Sequence, residues 1–184
     1  THIKTPNIDR MAAEGARLTD FYASANVCTP SRAGLLTGRY AIRSGLAHEA
    51  IQPADTTGLP LSEITIPKAL KPDYATALIG KWHLGHVAPH WPPTNHGFDR
   101  FYGLAYSHDM RPLKLFEADG PEVTEHEGRV DLPKLTQRFF EQTMSFAEAN
   151  RDRPFFVLLA LTAPHLPLRP NPDDLTGSVA GDYG

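Results

Sequence analysis

Cysteine is almost absent from this chain. Cys28 stands alone, so no internal disulfide can form and no disulfide framework points to a compartment. Basic charge is not in excess either. Lys and Arg number 18 against 21 Asp and Glu, a net charge of -3, which leaves nothing to neutralise a nucleic-acid backbone or an anionic membrane surface. The longest apolar run, Phe155 to Leu161, falls well short of the ~20 residues that a spanning helix needs. The opening, THIKTPNIDR, lacks the apolar stretch and small-residue cleavage site of a secretory leader. Proline, by contrast, is abundant: 17 of 184 residues, with 14 glycines beside it. Against a usual proline share of about 5%, this signals a loop-rich chain. Hydrophobic residues at 41% and charged residues at 21% are ordinary for one globular domain and exclude a disordered or fibrous chain.

Local signals divide the chain into alternating elements. Thr5-Pro6 reads as a helix start and Gly15 as its stop. Residues 16–23, ARLTDFYA, have the β-branched and aromatic content of a strand. Thr29-Pro30 repeats the helix-start signal, for a short helix over 31–37 closed by Gly38. Residues 41–62 read as surface loop, and Pro67 to Leu70 as a helical turn. Tyr74 to Ile79 is a short apolar strand that delivers Gly80-Lys81-Trp82-His83. Residues 85–133 show little periodicity, a length of irregular chain that is often functional. Leu135, Phe139, Phe140, Thr143, Met144 and Ala147 trace one face of a helix. Phe155 to Thr162 then reads as a fully buried strand delivering Ala163-Pro164-His165. The alternation predicts an open α/β sheet with a site at the carboxyl ends of its strands.

Chemistry-bearing residues cluster at those ends. Cys28 sits just ahead of a helix, where free N–H groups and the dipole favour an anion and lower a thiol pKa. Arg32 follows by about one turn, and its planar fork suits a tetrahedral oxyanion. Lys81 and His83, two residues apart, share a face of extended chain, the first to neutralise a developing anion and the second to act as acid, base or donor. His165, directly after a strand, has the placement of an α/β active-site residue. Against these stand plainer readings: a buried apolar Cys28, an exposed lysine in a glycine-bounded turn, and histidines that only cap backbone groups. His83, His86 and His90 have an HxxHxxxH spacing that raises zinc, but Gly85 and Pro89 interrupt the helix such a site requires. Ser107-His108-Asp109 raises a hydrolase triad, but adjacent residues rarely converge and no nucleophile-elbow glycines flank Ser107.

Two long segments go further. Cys28-Thr29-Pro30-Ser31-Arg32-Ala33-Gly34-Leu35-Leu36-Thr37-Gly38-Arg39 resembles the first signature of the type I sulfatases, and Gly80-Lys81-Trp82-His83-Leu84-Gly85 resembles their second. Lys4 to Arg10 resembles the family's segment ahead of the cysteine and Asn95 to Asp99 its turn after the second signature, while Tyr106 to Asp109 and Arg153 to Phe156 are similar to segments of the arylsulfatase A-like branch. The resemblance implies an alkaline-phosphatase-like α/β sandwich with a largely parallel central sheet, and hydrolysis of sulfate monoesters. It implies that a maturation enzyme reading the CxPSR core oxidises Cys28 to formylglycine, whose hydrated aldehyde attacks sulfur. By motif position Arg32 would hold that group and its anionic surroundings. Lys81 would bind sulfate, His83 would assist the diol, His165 would contact sulfate or protonate the leaving oxygen, and Ser107 would hydrogen-bond near the sulfate.

The resemblance also implies a calcium ion held partly by the formylglycine at 28, with its remaining ligands outside this chain: two earlier aspartates and a later Asp-Asn pair. Asp173-Asp174 does not replace them by position. On this reading residues 1–184 are a partial catalytic domain, incomplete at both ends. A periplasmic, secreted or lysosomal location is the family expectation. Three alternatives stay open: a phosphate or phosphonate monoester hydrolase of the same fold, a non-catalytic fragment without metal ligands, and a thiol phosphatase, whose usual loop spaces arginine six residues from cysteine rather than four.

Overall fold

A computed structural model describes residues 4–175. The described residues form two compact units, one of residues 4–22 with 169–175 and the other of residues 23–168. In the first, helix α1 (Pro6–Glu14) carries proline in its first turn and ends at Gly15, whose N–H donates to Met11 O. The Thr5 hydroxyl donates to the Asp9 carboxylate at 2.9 Å. Residues 16–23 form no strand, and most of the side chains there are exposed, so the β-branched pattern has no sheet to join.

The second unit is built on one sheet. Its strands are β1 (Ala75–Lys81), β2 (Arg100–Leu104), β3 (Phe116–Asp119), β4 (Glu122–Glu125) and β5 (Phe155–Ala160), in the order β4-β3-β2-β1-β5. β1 runs parallel to both β2 and β5, while β3 and β4 form an antiparallel hairpin at the other edge. Helices α2 (Cys28–Thr37), α3 (Ile66–Leu70) and α4 (Leu135–Ala149) complete the regular structure. Three strands thus lie within the stretch 85–133 that reads as irregular in sequence. They are short and separated by proline-rich turns, which hides their period.

β1 is buried along its whole length, as expected of a central parallel strand covered on both faces. Its side chains alternate accordingly. Leu78 joins a cluster with Ala33 and Leu36 of α2, Trp82, Phe98 and Phe101. Ala77 and Ile79 join the opposite cluster with Tyr102, Leu135, Phe139 and Phe146. Helix α4 therefore presents Leu135, Phe139 and Phe146 to the sheet, whereas Phe140 and Met144 are more than half exposed. The sequence pattern places that stripe about one position off. β5 also differs from expectation. It lies at the sheet edge, with Phe155 40% and Leu159 36% exposed, because no strand flanks its outer side among the described residues. No helix among them is long and apolar enough to cross a membrane.

At the carboxyl end of β1 three backbones come close together. Gly80 adopts φ +118, and a Cβ there would sit 2.0 Å from Ala160 O on β5. A Cβ on Gly103 of β2 would sit 1.8 Å from Gly80 O. These glycines let the strands close up at the level where Lys81 emerges. In the full-length protein Gly103→Ala is expected to cost about 3 kcal/mol through overpacking and strand separation. Chemical denaturation checks this, and an unchanged midpoint would show that the strands part freely.

Candidate active site

Helix α2 begins at Cys28, with Val27 as its N-cap in extended conformation. The sequence pattern puts the cap at Thr29. The actual cap, two residues earlier, seats Cys28 in the first turn, against the positive end of the helix dipole. Proline at 30 fits there because it lacks the N–H that a first turn leaves unpaired anyway. Lys81, the last residue of β1, is 3% exposed, and its Nζ lies 3.0 Å from Cys28 Sγ. Arg32, one turn along α2, donates from Nη1 to the carbonyl of Lys81 at 2.6 Å. One residue therefore anchors both cations: its amine touches residue 28 and its carbonyl holds the guanidinium.

Both cations are poorly hydrated. Burial pulls Arg32 below its ordinary range, with Cys28 opposing. Burial pulls Lys81 down too, opposed by the contact with Cys28 and reinforced by the charge of Arg32. Two desolvated positive charges beside a helix N-terminus form an environment whose natural complement is an anion. Cys28, Arg32, Lys81 and His165 share the wall of one cavity of about 640 Å³, whose apolar side is formed by Leu35, Leu158 and others.

His83 and Ser107 are not on that wall; each is 1% exposed. His83 stands in the left-handed region at φ 65, a conformation that costs a non-glycine residue roughly 1–3 kcal/mol and recurs at functional sites. Its N–H pairs with Ala105 O at 3.0 Å, continuing the β1–β2 ladder past the strand ends. Its ring donates from Nε2 to Ile51 O at 2.8 Å, and its Nδ1 is buried without a partner. Burial, reinforced by the charge of Lys81, lowers its pKa to about 4.

Beyond β2, Ser107 Oγ is buried with no partner in hydrogen-bonding geometry. Asp109 is held below the usual carboxylate range: partial burial raises it, but the nearby Ser107 hydroxyl, its own amide, His165 and His108 outweigh that. His165 donates from Nδ1 to Leu166 O at 2.6 Å, lies 3.9 Å from Asp109 Oδ1 and packs edge-on against His108 at 5.5 Å.

The alternative constellations do not assemble. His108 Nε2 bonds Pro167 O at 3.2 Å rather than serving Ser107, so 107–109 is no triad. His83, His86 and His90 bond three separate carbonyls, those of Ile51, Pro53 and Leu59. They staple the 41–62 loop to the turn after β1 instead of converging on zinc.

No three His, Cys, Asp or Glu side chains converge to hold a metal ion among the described residues. Cys28 has Lys81 for a neighbour, so these residues do not by themselves make the oxygen-rich shell calcium requires. Thr29 is the residue that the sequence pattern misassigned. It reads as a cap, yet its hydroxyl is fully buried and bridges His83 O and Ile51 N at 2.9 and 3.0 Å. The only signal was a hydroxyl in the turn after the cysteine, and that signal has a commoner local use.

The sulfatase family profile matches residues 1–184. The chain is 39% identical to arylsulfatase A of Bos taurus over 188 residues, which is 89% of this chain and 37% of that protein. It is 37% identical to human N-acetylgalactosamine-6-sulfatase over 202 residues, 98% of this chain and 38% of that protein. Among solved structures, a sulfatase from Pseudoalteromonas sp., PsFucS1, superposes with a TM-score of 0.83 at 30% identity, covering 95% of this chain and 41% of its own. The chain spans less than two fifths of the length of these curated relatives.

Buried histidines give this region a pH signature. Burial lowers His96 to about 4, as it does His83, whereas an unfolded histidine titrates near 6.5. The unfolded chain binds protons that the fold refuses, so this part of the stability is full above about pH 6.5 and is lost as pH falls towards 4. Denaturation at pH 5 is expected to take up about two protons from solution at these residues, and His96→Gln to remove about one of them. A pH-independent midpoint from 7 to 5 would contradict the assignment.

Proposed function

The chain belongs to the sulfatase family, and on that footing we propose that the whole protein hydrolyses sulfate monoesters, with residue 28, matured from cysteine to formylglycine, as its nucleophile. The observation that carries the proposal is the seat of Cys28. It lies in the first turn of α2, 3.0 Å from the buried Lys81 amine, on the wall of a cavity that also contains Arg32 and His165. Cys28 Sγ stands where the aldehyde oxygen would be. When formed, that group supplies a hydrated-carbonyl oxygen to attack sulfur.

The remaining roles follow from chemistry. Lys81 offers a desolvated positive charge to the nonbridging oxygens, worth more in a buried site than in water. Arg32 holds the carbonyl of Lys81 and adds its charge to the anion's surroundings. His165 has Nδ1 committed to Leu166 O, which leaves Nε2 to contact sulfate or give a proton to the leaving oxygen. Neutral His83, with its hydrogen on Nε2, offers Nδ1 as an acceptor. Ser107 offers a buried hydroxyl for a hydrogen bond near the sulfate. A formylglycine-generating enzyme that reads Cys28 to Arg32 is the maturation partner. The calcium implied by the family likeness would draw its other ligands from outside the described residues, and no bond-making step is assigned to it. The family likeness points to a periplasmic, secreted or lysosomal location.

In the full-length protein made together with a maturation enzyme, mass spectrometry of the peptide containing residue 28 is expected to show conversion to the aldehyde form. Cys28→Ala is expected to abolish turnover of aryl sulfates without unfolding the protein. Faster turnover of aryl phosphate than of aryl sulfate would favour a phosphate ester hydrolase instead. His165→Ala is expected to slow poor leaving groups by about 10²–10⁴-fold, and good ones much less, as general acid catalysis requires. Equal slowing across a series of substituted phenyl sulfates would reassign His165 to binding.

A further inference from the structure

The first turn of α2 contains a hydroxyl to which the chemistry above gives no part. Thr29 is 0% exposed. Its Oγ1 donates to His83 O at 2.9 Å and accepts from Ile51 N at 3.0 Å. A hydroxyl has one hydrogen to give, and here the His83 carbonyl takes it. His83 then donates from Nε2 to Ile51 O at 2.8 Å. The three residues close a circuit: Thr29 to the His83 backbone, the His83 ring to the Ile51 carbonyl, and the Ile51 amide back to Thr29. The links join positions 54, 32 and 22 residues apart in the chain. Ile51 is 3% and His83 1% exposed, so water does not stand in for any member.

The circuit fixes the state of one side chain. A carbonyl oxygen only accepts, so the His83 ring carries its hydrogen on Nε2 and keeps a lone pair on Nδ1. That nitrogen is buried without a partner, within reach of the charges of Lys81 and Arg32. The backbone is pinned from two sides. The amides of Trp82 and His83 pair with Leu104 O and Ala105 O, and Thr29 takes the His83 carbonyl. The left-handed φ of 65 sets the backbone, and the Nε2 bond to Ile51 O holds the ring. A cap at this position would not do this, since a capping hydroxyl turns back to its own helix.

We propose that Thr29 is a positioning residue for the sulfate-ester reaction, holding the His83 carbonyl to the Ile51 amide so that His83 presents Nδ1 as a fixed acceptor among the cations around residue 28. This rests on the reading of the protein as a sulfatase. The residue beside the nucleophile thereby sets the geometry of a group on a different element.

The test uses the full-length matured protein and four variants: Thr29→Val, Thr29→Ser, His83→Ala and the Thr29→Val/His83→Ala pair. Each is normalised to its fraction of converted residue 28. Thr29→Val is expected to lower kcat for an aryl sulfate about 10- to 100-fold, with KM within about threefold. Thr29→Ser should recover most of that loss. Added to His83→Ala, Thr29→Val should cost less than about a further twofold, because the two act as one unit. ¹⁵N spectra of histidine-labelled protein should show the Nε2–H form of His83 in the wild type and in Thr29→Ser, and a mixture of forms in Thr29→Val. Full additivity in the double variant, or an Nδ1–H form in the wild type, would overturn the proposal. Should Thr29→Val not fold, the wild-type and Thr29→Ser spectra still decide it. A wild type that turns over no sulfate ester would refute the sulfatase reading, while the ring form would continue to report on the circuit by itself.

Discussion

Two positive charges are drawn out of water around residue 28, and much of the site follows from that. Lys81 is nearly fully buried and Arg32 is half-buried, and burial of charge is costly unless something compensates. Part of the compensation is local: the Lys81 carbonyl takes a guanidinium hydrogen, and Sγ of Cys28 lies against the ammonium. The rest is what an anion bound there would supply. The same constraint explains why His83 stays neutral: its own burial disfavours the charged ring, and the charge of Lys81 adds to that. A neutral imidazole among cations can act as acceptor or base, which a charged one cannot.

The sheet places these groups. β1 delivers Lys81 and then His83, β2 continues towards Ser107 and Asp109, and β5 leads to His165. All three strands are parallel, so their carboxyl ends meet on one side, as open α/β sheets require of a site. Gly80 and Gly103 permit the close approach that makes those ends converge. Helix α2 then brings Cys28 from an element far away in sequence, and Thr29 links its first turn to the turn after β1.

Much of this was legible in the amino-acid order. Cys28, Arg32, Lys81 and His165 carry charge or nucleophilicity immediately beside helix-start or strand-end signals, and the fold brings those four to one cavity. The elements that escaped reading have physical reasons. β2, β3 and β4 are four or five residues long, too short for alternation to emerge from flanking prolines. Residues 16–23 look like a strand because β-branched and aromatic residues favour pleated surfaces, but that preference acts only where a neighbouring strand exists. Thr29 was misread because local propensity favours a cap, whereas its partners lie 54 and 22 residues away. The HxxHxxxH spacing of His83, His86 and His90 suggested a metal. What it encodes is a row of ring-to-carbonyl bonds that fasten a long loop.

β5 has two neighbourhoods at once. One side pairs with β1; the outer side meets no strand among the described residues. Leu158, Leu159 and Leu161 of this segment also line the chamber next to Cys28. A polypeptide segment laid along that rim would quench its idle peptide dipoles and, in the same act, roof over the leucines of the chamber. Sheet pairing and the shape of the chamber would then be governed by a single seam, so a change made there to reshape the chamber would also register as a change in cohesion.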